Sequence, residues 1–213
     1  MLFSSAPRYD ITTPAESSDV DSVIYLAREA FNDSTINATT VYDSYRKNPY
    51  CHLIAKDSAN NIVGYTDFFL LRPATFDAFL QGRITESHFV SDDILPFGSP
   101  EAHNRIYLGG IAVFTPFGSE RGRILQVLLH AFTQLMLAKY ITPETPEYTA
   151  YATGYSQDGL NLLNRLGFTL MAPGEGREDN QPLYSGKLNQ ASLTAMANHF
   201  ARAQRHYTLE LRS

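Results

Sequence analysis

Three short stretches hold residue types able to do chemistry. In Gly64–Leu71, GYTDFFLL, a single acid, Asp67, interrupts an apolar run. Such a carboxylate either lies on a solvated strand face, as most isolated strand acids do, or is held in a polar site as a candidate general base. In Val113–Gln126, VFTPFGSERGRILQ, an apolar strand end enters a turn with Gly118, Gly122, Arg121 and Arg123, and a helix follows. Unpaired N–H groups and the dipole of a helix start attract phosphate, and the two arginines could add charge-assisted bonds. Glu120 would oppose them. The third stretch, Gly154–Gly159 (GYSQDG), lies between a strand and a helix and offers the hydroxyls of Tyr155 and Ser156.

Each residue also has a plainer reading. Tyr155 can pack at a strand edge, and Ser156 can cap the following helix, with Gln157 and Asp158 in its first turn. Ser156, Asp179 and His199 follow the chain order of a hydrolase triad. A nucleophile elbow, however, needs G-x-S-x-G, and the second glycine here comes one residue late. Gly109 and Gly110 together form either a bulge or a place where a substrate approaches the backbone. Glu86, Asp92 and Asp93 lie in a long polar connection, as an acidic lid suited to a cationic amine or as a solvated loop. The six histidines show neither HExxH nor Cys/His ligand spacing, so no metal site is expected.

The elements that must position these groups follow from periodicity. Tyr9–Thr12 reads as a short strand, and Val23, Leu26, Ala27, Ala30 and Phe31 recur at helical spacing. A second helix is expected near Thr39–Arg46. Cys51–Lys56 and Ile62–Leu71 form a hairpin across DSANN. Residues 72–104 open with a short helix after Pro73, ended by Gly82, and continue as loop; so long a connection is often functional. Arg105–Val113 is a strand, Ile124–Lys139 a strong amphipathic helix, Tyr148–Thr153 a strand and Gly159–Leu166 a helix closed by Gly167. Phe168–Met171 and Leu183–Leu188 pair across a mobile-looking loop, APGEGREDNQ. Leu193, Met196, Ala197, Phe200 and Ala201 then mark a last helix, which either packs on the sheet or serves as an interface; a homodimer is one partner open to the chain. The strand–helix–strand unit over 105–153 requires parallel pairing through a right-handed crossover. With the early hairpin, the sheet is mixed and enclosed by helices.

Bulk properties narrow the class. The chain has 213 residues, 44% of them apolar and 18% charged, with a formal charge of −5. That is a globular composition, and the acidic balance argues against a nucleic-acid partner. One cysteine, Cys51, allows no internal disulfide. The start, MLFSSAPRYD, lacks the basic and apolar regions of a secretory signal, and ILQVLLHAFTQLML is too interrupted for a bilayer span. A soluble cytoplasmic protein without a membrane partner is expected.

Element order and motifs together resemble the GNAT superfamily of acyl-CoA-dependent N-acetyltransferases, as a divergent member. In that family a central strand is followed by a loop like Q/R-x-x-G-x-G/A that opens a long helix; here Ile111–Val113 end the strand and FTPFGSERGR is the loop. The second motif is a helix ending like L/F-Y-x-K/R-x-G-F, matched by GLNLLNRLGF over Gly159–Phe168. The resemblance spans roughly residues 9–188 in element order and about 105–171 in motifs. It implies a single-domain GNAT-like α/β fold with a central mixed, mostly antiparallel sheet. Residues 72–104 would be a lid-like insert and 189–213 an extension.

The resemblance also implies acetyl-CoA as co-substrate. The backbone of Ile111, Ala112 and Val113 would hold the pantetheine arm, and Arg121, Gly122, Arg123 and Ile124 the pyrophosphate. The implied reaction is acetyl transfer to a primary amine of a small molecule or peptide, by direct attack in a ternary complex. Tyr155, Ser156 and Asp67 are the candidate catalytic groups. Two departures stand out. The loop lacks the family's glycine pair, and the position of the usual acidic Tyr is Leu163. A catalytically degenerate acyl-CoA- or protein-binding module is therefore one alternative, and a serine hydrolase using Ser156 another.

Overall fold

Alternation along one strand sets up both faces of the sheet. In β3 (Ile62–Phe69), Tyr65, Asp67 and Phe69 point to one side, while Gly64 and Phe68 point to the other. The computed structural model describes residues 9–13, 17–31, 35–115 and 118–211. Among them β3 lies near the centre of one sheet. Its other strands are β1 (Tyr9–Thr12), β2 (His52–Lys56), β4 (Arg105–Val113), β5 (Glu147–Thr153), β6 (Thr169–Ala172), β7 (Leu183–Asn189) and β8 (Tyr207–Glu210). The order is β6-β7-β5-β4-β3-β2-β1-β8. Neighbours run antiparallel except for β4–β5 and β1–β8. This is the mixed, mostly antiparallel α/β sheet that the sequence leads one to expect.

Against one face packs α4 (Gly118–Leu135), which continues through a π-helical turn at Met136–Tyr140. Its Ile124, Val127, Leu128, Ala131, Phe132 and Leu135 meet Leu53, Phe68, Ile106 and Ala150 in the main core. Fully burying such side chains contributes about 1.5–3 kcal/mol each. A Cβ on Gly64 would come within 3.1 Å of Leu128, so the glycine lets α4 settle close to β3. The opposite face carries α1 (Ser17–Phe31), α2 (Ala38–Lys47) and α3 (Pro73–Leu80). There Val20, Ile24, Val41, Phe69, Phe76, Phe79, Phe89 and Tyr107 form a second core. Asn37 caps α2 by accepting from Thr40 N–H at 3.0 Å.

Several boundaries differ from the sequence expectation. The helix expected from Ile124 begins at Gly118. Gly118, Ser119 and Glu120 thus form its first turn instead of a loop, and Pro116 and Phe117 lie outside the described residues, as does Pro14 before α1. The loop between β6 and β7, expected to be mobile, is tied to α3. Arg177 there is buried and donates to the carbonyls of Phe79 (3.2 Å) and Leu80 (3.4 Å), while pairing with Asp179. The last helix, α6 (Gln190–His199), settles against α4 with Leu193 fully buried. The chain then returns through a 3-10 segment to β8, a strand that the sequence reading omits.

Candidate active site

The site forms where β4 loses a neighbour. Pairing between β4 and β5 runs from Arg105–Thr149 to Leu108–Ala152 and stops, whereas β4 stays paired with β3 out to Val113. Among the described residues, Gly109–Val113 therefore have no strand on the β5 side. Phe114 N–H donates to Val63 O at 2.8 Å, which fixes the alternation of the β3–β4 ladder. The N–H and C=O of Ile111 and Val113 consequently point away from β3, into the opening. Their side chains pack toward the main core, while Ala112 faces α1.

A bulge marks the start of the opening. Asp67 is opposite Gly110 and Phe68 opposite Leu108, so Gly109 is the extra residue. A Cβ there would lie 2.6 Å from Asp67 Oδ1, and only glycine admits the carboxylate so near the backbone. Of the readings open for Gly109–Gly110, a bulge is what forms. The Asp67 carboxylate accepts the Gly110 N–H at 2.6 Å. Burial raises its pKa to about 7, partly opposed by that hydrogen bond.

A second acid faces it. Asp67 and Glu86 line one cavity of about 20 Å³, room for a single water. Apolar side chains of α1 and α2, among them Val23, Ile24, Ala27 and Val41, form much of the rest. Glu86 comes from a 3-10 turn in the 72–104 connection and accepts from Tyr107 Oη. Burial raises its pKa to about 8, with the Asp67 charge adding to the rise. Of the acids further on in the same connection, Asp93 serves it internally, accepting from Val90 N–H at 2.9 Å and from Thr75, while Asp92 is exposed. Asp67 was legible as an acid in an apolar strand. Glu86 stood out from its neighbours only through folding.

Tyr155 lies across the opening from Gly110, just past the end of β5. It is 43% exposed and meets Phe31 edge-on at 5.4 Å. A Cβ on Gly110 would lie 3.3 Å from the same Phe31 ring, so the end of α1 touches both sides. Ser156 caps α5 (Gln157–Arg165), its Oγ accepting Gly159 N–H at 3.2 Å. Asp179 is held by Arg177, and His199 meets Phe200 edge-on at 4.8 Å. The three residues of the hydrolase order thus each have a different partner. Leu163, in place of a tyrosine, is buried in the main core.

At the far end of the opening stands the start of α4. Arg121 and Gly122 are exposed, and nothing approaches within 4 Å of where a Gly122 Cβ would stand. Thr115 Oγ1 donates to Glu120 at 3.0 Å. Burial raises the pKa of the Tyr9 hydroxyl, with Glu120 adding to the rise and Arg123 opposing it, so both side chains reach toward β1. Ile124 is buried in the main core. Of the four loop residues, Arg121 and Gly122 are thus the ones presented to solvent at the helix start. Among the described residues no group of three or more His, Cys, Asp or Glu is placed to hold a metal, and no helix is long and apolar enough to cross a membrane.

Neither a protein-family model nor a curated protein sequence matches the chain. Solved structures do. A GNAT-family N-acetyltransferase from Escherichia coli, YhbS, in complex with CoA, is 14% identical with a TM-score of 0.51, over 99% of this chain and 91% of that one. A chain of the NatC complex bound to Gag peptide and CoA is 14% identical with a TM-score of 0.55, over 85% of this chain and 98% of that one. The protein has the fold of these acetyltransferases.

Proposed function

We propose that the protein moves an acetyl group from acetyl-CoA to a primary amine of a small molecule or peptide, by direct attack in a ternary complex. The observation that carries this reading is the β4–β5 opening, with backbone groups of Ile111 and Val113 turned into it. An extended amide arm such as pantetheine can pair with an exposed strand edge as another strand would. Both fold neighbours were solved with CoA. The pyrophosphate would meet the N–H groups of the first turn of α4, with Arg121 adding charge and Gly122 leaving room. The bound thioester would then end at the Gly109 bulge, beside Asp67.

An amine attacks only when neutral, so its ammonium must first lose a proton. Asp67, with its pKa near 7, is half ionised at neutral pH and suited to take it. Glu86, with its pKa raised to about 8, is mostly protonated at neutral pH, which leaves Asp67 as the chamber's ionisable base. Of the two hydroxyls after β5, that of Tyr155 is the better placed to protonate the departing thiolate, because Ser156 is engaged in capping α5. A cytoplasmic location suits the reaction, since Cys51 is a free thiol of the kind kept in reducing compartments.

The test is acetyl-CoA-dependent thiol release across polyamines, aminoglycosides and peptide N-termini. At least one class should turn over, with loss of turnover in Asp67→Asn. Binding of acetyl-CoA without turnover on any of them would favour the non-catalytic binding module instead.

A further inference from the structure

His52 is directly opposite Asp67 in the β2–β3 pair. It is 1% exposed, and its Nδ1 is a buried polar atom without a hydrogen-bond partner, 3.9 Å from Asp67 Oδ2. The other ring nitrogen points to the tautomer. Ser44 Oγ donates its proton to Val41 O at 2.7 Å, so toward His52 Nε2, at 3.2 Å, it can only accept. Nε2 therefore carries the hydrogen and Nδ1 presents a lone pair to the carboxylate. With Asp67 ionised, both atoms present lone pairs and no hydrogen bond can join them. A proton on Asp67 Oδ2 would make the two atoms complementary, and closing the 3.9 Å to an O–H···N bond calls for a turn about the terminal carboxyl torsion, which is soft.

We propose that His52 is a positioning residue for Asp67: its Nδ1 lone pair accepts, as a hydrogen bond, the proton that Asp67 takes from the acceptor ammonium. This rests on the reading of Asp67 as the base. In that step one ammonium N–H bond breaks, its electron pair stays on nitrogen, and an O–H bond forms on Asp67. After attack, the Tyr155 hydroxyl gives its proton to the thiolate sulfur and is reprotonated by the second proton of the nitrogen. The proton on Asp67 leaves to solvent as the amide departs, so the sum is ammonium plus thioester to amide, thiol and one proton.

The groups around the pair are Ser44 of α2, Cys51 beside β2, Tyr65 of β3, Glu86 of the connection and Tyr107 of β4; α1 lines the chamber with apolar side chains. Burial pushes the Cys51 thiol and the Tyr65 and Tyr107 hydroxyls up, so they stay neutral. Burial also lowers the His52 pKa to about 4, which keeps the imidazole an acceptor. Glu86 is the neighbour that titrates near neutrality.

The experiment uses the full chain without substrate. Nitrogen-15 spectra of the wild type should show His52 as the Nε2–H tautomer. Carbon-13 titration of the Asp67 carboxyl should show its midpoint fall by about one pH unit, a tenfold loss of proton affinity, in His52→Phe. In His52→Asn, where a side-chain carbonyl can stand near the Nδ1 position, most of that loss should be restored. The acid limb of kcat/KM should shift by the same amount. An Nδ1–H tautomer, or an unmoved Asp67 midpoint in a folded His52→Phe, overturns the proposal. Should His52→Phe not fold, the wild-type tautomer and the His52→Asn titration decide. Because tautomer and titration are read without turnover, they can fail while acetyl transfer succeeds, and the reverse.

Discussion

Against α4 the sheet presents Leu53, Phe68, Ile106 and Ala150, and the helix answers with aliphatic and aromatic side chains. Against α1, α2 and α3 it presents a similar apolar surface, interrupted by His52, Asp67 and Tyr107, with Glu86 brought in from the connection. Stability alone would not produce the second arrangement. Half-buried carboxylates with no Lys or Arg paired to them among the described residues cost free energy, and apolar replacements of similar volume would remove that cost. The interrupted face is also the one beside the bulge, where β4 parts from β5. The face that carries the fold and the face proposed to carry the chemistry are thus separated by the thickness of one sheet.

Substitutions can break that contrast. The largest expected effect is on turnover: Asp67→Asn should lower kcat/KM for an accepted amine by about 10²–10⁴-fold, with stability unchanged or higher in denaturant unfolding. The mirror experiment is Leu128→Ala on the other face, where a cavity should cost about 2–5 kcal/mol in the same unfolding assay and leave the pH dependence of turnover in place.

Glu86→Gln sharpens the comparison further. The folded-state pKa values of Asp67 and Glu86 are raised to about 7 and about 8, so between the ordinary carboxylate range and these values the folded chain holds more protons than the unfolded one. Stability must then fall as pH rises from about 5 to 8. Removing Glu86 should flatten that fall by on the order of 2 kcal/mol, measured by urea unfolding at several pH values. The smallest effect belongs to the helix start. Arg121→Glu should weaken CoA by several-fold and a short pantetheine thioester hardly at all. Equal losses would mean that Arg121 does not meet phosphate.

Much of this architecture is written in local pattern. Branched and aromatic runs mark β2, β3 and β4. Pro73 opens α3, Gly82 and Gly167 take the left-handed conformations that follow α3 and α5, and Ser156 caps as its type suggests. The start of α4 was misjudged because Gly118 and Gly122 look like loop residues, while a helix anchored by Ile124, Val127 and Leu128 tolerates both near its exposed beginning. YTLE, the four residues of β8, is too short to show alternation, and its strand identity comes from pairing with β1. The site was legible only in part. Asp67 is conspicuous in sequence, but its partners depend on cross-strand register and on a bulge: Gly110 is 43 residues away, and His52 is opposite only once β2 and β3 align. Nothing local separates Glu86 from Asp92 or Asp93; the fold does, by bringing the Tyr107 hydroxyl and the Asp67 cavity to that one acid.

The central claim is that the opening beside Ile111–Val113 holds an acyl-CoA. Thermal unfolding of the full chain with and without acetyl-CoA tests it most directly. At 100 times the dissociation constant, binding to the folded state should add about 2.7 kcal/mol and raise Tm accordingly, with a smaller gain for Arg121→Glu at the same concentration. An unchanged Tm at millimolar acetyl-CoA would contradict the claim and leave the fold without its proposed donor.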